Sequence, residues 1–141
     1  MAERIRRILT ATDRSPTADR AVAWAADMAT RYDAELVVLQ VLTAVGDGVA
    51  DAESGLGDLA AGIGPHVRAK VVVGEDPASV IVDAAEEESA DVVVVGNIGM
   101  SGRKEFLLGN VPNRVSHRAR CTVVIVNTAT EPRRRRLGRR R

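Results

Sequence analysis

The segment Asp91-Val92-Val93-Val94-Val95-Gly96-Asn97-Ile98-Gly99 decides how the chain is read. Four consecutive valines between an aspartate and a glycine read as a strand buried on both faces, the pattern of a parallel sheet. The glycines then fall where the strand ends and a loop opens toward a helix. Ten residues after Gly99 comes Gly109-Asn110. In open α/β sheets ligands bind beyond the carboxyl ends of the strands. Glycine there lets backbone N–H groups approach a phosphate with no Cβ in the way. The stretch therefore points to a phosphate cradle.

Outward from this segment, strands and helices alternate. Ile8 to Thr12, Leu36 to Leu42, Val67 to Val73, Asp91 to Val95 and Thr122 to Val126 read as strands. Ser15-Pro16 opens a first helix and Asp76-Pro77 another, each pairing an N-cap residue with a proline suited to the first turn. Ala21, Trp24, Ala25, Met28 and Tyr32 recur at helical spacing and predict the apolar face of the first helix. Val80, Ile81, Ala84 and Ala85 do the same for the later one, with Glu86 to Glu88 as its solvated face. Asn110 to about Arg118 forms the last helix, with Val111 and Val115 inward. Six of the 12 glycines lie between residues 43 and 66. The helix that must connect strands two and three is therefore expected to be short, Ala50 to Ala61, weakened by glycine and the most mobile part of the body. Alternation with right-handed crossovers predicts a single open parallel five-stranded sheet with helices on both faces, a Rossmann-like α/β fold.

Composition sets the bounds. A chain of 141 residues is one domain by default and needs neither disulfide nor metal to hold it. Only Trp24, Tyr32 and Phe106 are aromatic, so the core must be aliphatic. The single cysteine, Cys121, excludes an internal disulfide, fits a reducing compartment and reads as a small core residue. The first residues run straight into a strand without a signal-peptide core. The longest apolar run is too short to span a bilayer. The expectation is a soluble cytoplasmic protein with no membrane insertion. Residues 133–141 carry seven arginines; removing them from the 20 basic residues leaves 13 against 19 acidic ones, a net charge of −6. An acidic domain, residues 1–130, is thus followed by a cationic tail, residues 131–141, expected to be disordered. Arg133 to Arg141 suit non-specific contact with nucleic acid, acidic membrane or an acidic partner, or a plain solubilising role; with no aromatic residue the tail offers no base stacking.

Taken with the fold pattern, the spacing Gly96-x2-Gly99-x9-Gly109 resembles that of the universal stress protein family. Ala11-Thr12-Asp13-Arg14-Ser15, the phrase Phe106-Leu107-Leu108-Gly109-Asn110-Val111-Pro112 and the strand Cys121 to Val126 are similar to family sequence as well. The resemblance spans about residues 4–128 and implies the adenine nucleotide alpha hydrolase-like version of the fold. It implies that Ala11, Thr12 and Asp13 border adenine and ribose, with Val41 beside the base. Gly96 and Gly99 would bring backbone to ribose and phosphate. Gly109, Asn110 and Val111 would hold phosphates at the start of the last helix, where free N–H groups and the dipole favour anions. The implied ligand is ATP or another adenine nucleotide, including cyclic AMP as an alternative, with no metal beyond magnesium carried by the nucleotide. A homodimer through Thr122 to Val126 is implied too; that strand is β-branched and uncharged, an edge that something normally covers.

Two positions depart from the family pattern. Asn110 stands where nucleotide-binding members carry serine or threonine. Its amide can donate to a phosphate, or its oxygen can cap the helix by accepting from an N–H near Asn113. Arg14 stands where the family has glycine. Arginine resists a positive φ, which points to an altered turn.

The remaining candidates weigh toward plain roles. Asp13 reads either as a ribose- or base-contacting carboxylate or as a turn-forming Asx residue. Arg103 and Lys104 read as phosphate ligands or solvated loop charges, and Ser101 as a loop serine. His66 and His117 have no partners at metal-ligand spacing and read as surface residues. There is no Walker A motif and no nucleophile triad in the sequence. The reading is a small nucleotide-binding regulatory protein rather than an efficient enzyme, with weak ATP hydrolysis left open. Its alternative is a ligand-free dimeric interaction module acting through the arginine tail.

Overall fold

The computed structural model describes residues 4–43, 46, 48–97 and 110–128. Among these the strands are β1 (Arg7–Thr12), β2 (Glu35–Leu42), β3 (Val67–Val73), β4 (Val92–Gly96) and β5 (Thr122–Val126). The helices are α1 (Pro16–Tyr32), α2 (Gly48–Ile63), α3 (Pro77–Glu87) and α4 (Val111–Arg118). All five strands are parallel, in the order β3-β2-β1-β4-β5. The strands lie where the valine-rich runs predict them, because a strand covered on both faces must be apolar at every position.

Strand side chains alternate between two aliphatic layers. Leu9, Ala11, Val37, Leu39, Val93 and Val95 pack against Ala78, Ile81 and Ala85 of α3 and Val111 and Val115 of α4. Ile8, Leu36, Val38, Val92 and Val94 face α1 and the α2 residue Leu56. The central β1–β4 pair is anchored at its start by Asp91, whose carboxylate accepts the backbone N–H groups of Arg6 and Arg7 at 2.8 and 3.0 Å. Further along, the buried Thr10 hydroxyl donates to the Val94 carbonyl at 3.0 Å. Among the described residues no helix is long and apolar enough to cross a membrane.

The face that α1 lays on the sheet shares Ala21 and Ala25 with the predicted one, with Met28 partly buried against it, and departs from it at Trp24 and Tyr32. It consists of Ala18, Ala21, Val22, Ala25 and Ala29, small residues that let the helix lie close to the strands. Trp24 and Tyr32 are 43% and 50% exposed. The large side chains share a four-residue spacing beside the alanine face and so mimicked it. α2 is also longer than expected, 16 residues, although only Leu56 and Ala60 of it are buried.

Glu88, just past α3, is not part of a solvated face. Its carboxylate meets Arg68 at 2.5 Å and Lys70 at 3.0 Å, both from β3, and its side chain is only 13% exposed. Glu87 adds a second contact to Lys70 at 3.2 Å. These hydrogen bonds hold the Glu88 carboxyl below its ordinary range, Arg68 contributing most, while Glu88 raises Lys70 above its own. At the other end of the same crossover, Gly74 leaves β3 against Val80. A Cβ at residue 74 would lie 2.5 Å from Val80 Cγ2, and a β-branched residue in a helix has no easy rotamer to yield.

Two outcomes follow for stability. Gly74→Ala is expected to cost about 1–3 kcal/mol through overpacking, read by urea unfolding, and Val80→Ala in the same chain should recover part of the loss. The Glu88 network is complete above the ordinary carboxylate value of roughly 4.3 and is lost as pH falls through Glu88's depressed one. Glu88→Gln should therefore destabilise by roughly 1 kcal/mol at neutral pH, a screened surface-type value. The difference from wild type should vanish under acid, as thermal unfolding across a pH series will show.

Candidate functional site

The chain order makes one crevice. From β1 the strands run outward through β2 to β3, and the chain then returns across the sheet to β4 on the other side of β1. The β1–α1 turn and the segment leaving β4 therefore diverge from neighbouring strands, which is the switch point where open α/β sheets take ligands. β1 and β4 pair at Thr10 and Val94; two residues on, the same register brings Thr12 level with Gly96.

Of the predicted site residues, Ala11, Thr12, Asp13, Val41 and Gly96 stand together at this carboxyl edge. Ala11 and Val111 are buried members of one apolar cluster, and Val41 packs against it. The start of α4 and the ends of β1 and β2 thus share one floor, although they are distant in sequence. Gly99 and Gly109 lie outside the described residues, as do Ser101, Arg103 and Lys104 and the arginine tail. His66 and His117 are exposed, as predicted. Among the described residues no group of three His, Cys, Asp or Glu side chains could hold a metal ion.

The β1–α1 turn is tightly hydrogen-bonded. Asp13 Oδ1 accepts the Ser15 N–H at 2.9 Å, the Asx-turn geometry. Ser15 Oγ then caps α1 by accepting the Ala18 N–H at 3.2 Å. The fully buried Thr12 hydroxyl accepts the Arg14 N–H at 2.9 Å and donates to Asp19 at 3.2 Å. Arg14 has φ 68°, so the expected change of turn does not occur. Arginine adopts the left-handed conformation that glycine would take, and the surrounding bonds outweigh a strain of order 1 kcal/mol. Its guanidinium reaches away from the turn, to Asp19 at 3.4 Å and to the Gly55 carbonyl of α2 at 3.4 Å.

Asn110 also resolves against one expectation. It sits at φ 66°, ψ 71° and makes no side-chain cap; its carbonyl accepts the Arg114 N–H at 3.1 Å. Asparagine is among the few non-glycine residues that tolerate this left-handed region. The side chain therefore does not take up the first-turn N–H groups of Val111 and Asn113, while Pro112 has none to offer.

Three contributors were missed from sequence. Asp76, read only as a helix cap, holds α4 to the start of α3. It accepts both Arg114 guanidinium nitrogens, at 3.0 and 2.8 Å, and the Ser79 hydroxyl at 2.8 Å. Arg114 is the main cause of the Asp76 carboxyl lying below its usual range. Asn97 ties the end of β4 to the chain leaving β5, its Oδ1 accepting the Thr128 N–H at 2.8 Å and the Thr128 hydroxyl at 3.2 Å. Gln40, paired with Thr12 in register, buries its side-chain oxygen with no hydrogen-bond partner among the described residues. A polar residue directly after a strand was the available signal for Asn97. Nothing local marks Asp76, whose partner lies 38 residues away.

A separate cavity of about 200 Å³ opens at the opposite, amino edge, lined by Ala26, Thr30, Ile63 and His66 among others. It adjoins a second cavity of about 450 Å³ lined by Arg4, Arg6, Arg7, Asp33, Glu35 and His66, where Arg7 is already paired with Glu35 at 2.8 Å. The switch point is the better candidate on topology and on hydrogen-bonding groups.

Comparison with known proteins agrees with this geometry. The chain is 46% identical over 63 residues to the universal stress protein Rv1636 of Mycobacterium tuberculosis, a match spanning 45% of this chain and 42% of that relative. The sequence match thus covers under half of that curated relative's length. The crystal structure of a universal stress protein in complex with cAMP superposes with a TM-score of 0.74 at 30% identity, covering 90% of this chain and all of that one. A universal stress protein from Archaeoglobus fulgidus in complex with dAMP, at 21% identity and TM-score 0.67, shares the fold. The sequence model of the universal stress protein family matches residues 4–127, and with the five-stranded parallel sheet and its switch point in place, this chain belongs to that family.

Proposed function

We propose that this chain binds an adenine nucleotide at the carboxyl edge between β1 and β4. The observation that carries the reading is the pairing of Gly96, at the end of β4, with an α4 whose first turn is left uncapped by Asn110. Val111 and Asn113 offer N–H groups to an anion there, reinforced by the positive end of the helix. Val41, partly exposed over the core that buries Ala11, supplies an apolar wall of the kind a base packs against. The 30%-identical relative was crystallised with cAMP, which supports an adenine ligand and favours one carrying a single phosphate. An α4 start with Pro112 at its second position has fewer donors than a triphosphate would use.

Binding rather than turnover fits the site. Asp13 is engaged in the turn, and Asp19 is already bonded by Thr12 and approached by Arg14. Neither is placed as a general base, and two carboxylates are not arranged to hold magnesium for phosphoryl transfer. We read the protein as a cytoplasmic nucleotide-responsive regulator.

Its partner is a second copy. β5 is an edge strand without a charged residue, and Ile125 on it is 45% exposed. The opposite edge, β3, carries Arg68 and Lys70, the charges that guard edges against pairing. The asymmetry supports β5 as the pairing edge.

Titration calorimetry with ATP, ADP, AMP, cyclic AMP and adenosine tests the ligand. Nucleotides should bind, and adenosine should bind at least about tenfold more weakly, the equivalent of about 1.4 kcal/mol. Asn110→Asp keeps a residue that tolerates the left-handed cap but adds a negative charge beside the phosphate. It should weaken the nucleotides and leave adenosine unchanged. Equal loss for adenosine, or no binding of any of the five, contradicts the reading.

A further inference from the structure

The chain's one tryptophan and one tyrosine both lie exposed on α1, at 43% and 50%. Trp24, Met28 and Tyr32 follow one another at four-residue intervals along a single ridge. This ridge is neither the alanine face on the sheet nor the flank toward α2. On that flank Ala26 and Thr30 line the small cavity shared with Ile63. Trp24, Met28 and Tyr32 occupy the opposite flank, toward β4 and β5. Met28 packs against the same cluster that Val124 and Val126 of β5 join. α1 also contacts β4 and β5 on the side away from α2, so the ridge borders the open edge of the sheet.

The size of these side chains has a geometric counterpart. Two β5 strands paired antiparallel about a two-fold axis extend the sheet, with neighbouring strands about 4.8 Å apart. α1 lies over β1 and β4, so each α1 stands about 10 Å from such an axis and the two helices about 20 Å from one another. That is twice the 8–10 Å of helices in direct contact. The trough between them has Val124 and Val126 of both copies as its floor and needs long side chains from both walls to fill it. Alanines, which suffice on the buried face, could not reach.

A five-residue strand supplies only part of the roughly 800 Å² per partner of a stable interface. Trp24 and Tyr32 in their exposed state add about 100 Å² each. Beyond the ridge, Asp27 and Arg31 form an exposed pair at 2.9 Å. With Arg20 one turn before Trp24, the rim carries charges of both signs.

We propose that the Trp24–Met28–Tyr32 ridge is the second half of a homodimer contact begun by β5, closing over the valines of both copies. This rests on the β5 dimer proposed above. Because Trp24 is the only tryptophan, its emission reports the contact directly. The full chain is diluted while mass is followed by sedimentation and Trp24 by emission and acrylamide quenching. The expected result is a dimer with blue-shifted, quencher-protected emission that turns red and accessible as the dimer dissociates. Trp24→Ala, with circular dichroism unchanged, should weaken dimerisation at least about tenfold, and Trp24→Phe should restore most of it.

A dimer in which Trp24 stays fully quenchable overturns the ridge and leaves β5 standing. A dimer that survives Ile125→Lys unweakened removes the β5 reading as well, and a monomer at every concentration removes both. A monomer with shielded Trp24 that becomes accessible when residues 131–141 are deleted would assign the ridge to the arginine tail and overturn the proposal.

Discussion

The parallel pairing of β1 with β4 is the constraint on which the rest of the structure depends. It puts the first strand in the middle of the sheet and forces the chain to turn back across it after β3. Asp91 fixes the start of the pair through two backbone N–H groups, and Thr10 reinforces it in a site with no water to compete. Every strand position there is covered on both sides, so the pairing admits only aliphatic or hydroxyl side chains. The crevice above it is a consequence. Two connections leave adjacent strands in different directions, and no side chain has to be spent to open the space between them.

What lines that crevice shows how local chemistry can change while backbone geometry holds. Arg14 and Asn110, which stand where the family resemblance implies glycine and a hydroxyl residue, both adopt left-handed conformations. The Asx turn at Asp13, the Ser15 cap and the buried Thr12 hydroxyl over-determine the first turn, so a single unfavourable φ is tolerated. Asn110 is held differently. Its helix is short, eight residues, and depends on tertiary contacts: Val111 and Val115 in the core, and the Asp76–Arg114 pair outside it. The start of α4 is positioned from α3, not by its own cap.

Much of this was legible in the sequence, for identifiable reasons. Valine runs announce strands buried on both faces, and Ser-Pro and Asp-Pro announce helix starts, because each reflects a local constraint. Ala21 and Ala25 of the α1 face were read correctly, but Trp24 and Tyr32 were added to it because they carry more apolar surface than the alanines that pack; periodicity weighs size, whereas close helix–sheet contact selects smallness. Glu88 read as solvated because its partners, Arg68 and Lys70, come from another strand. The Asp76–Arg114 pair was invisible for the same reason. At the site, Gly96 was legible from the end of its strand and Ala11 and Val41 came from the family resemblance, whereas the side-chain orientation of Asn110 needed coordinates. Residues 98–109, including Gly99 and Gly109, lie outside the described part of the chain, so their roles rest on sequence.

The account stands or falls on where a nucleotide docks. Backbone amide shifts of the isotope-labelled full chain, followed while AMP is added, test this most directly. The account predicts saturable shifts concentrated at Ala11, Thr12, Asp13, Val41, Gly96 and Val111, with little change around Ile63 and His66. Shifts confined to the amino-edge cavity, or none at any ligand concentration, would contradict it.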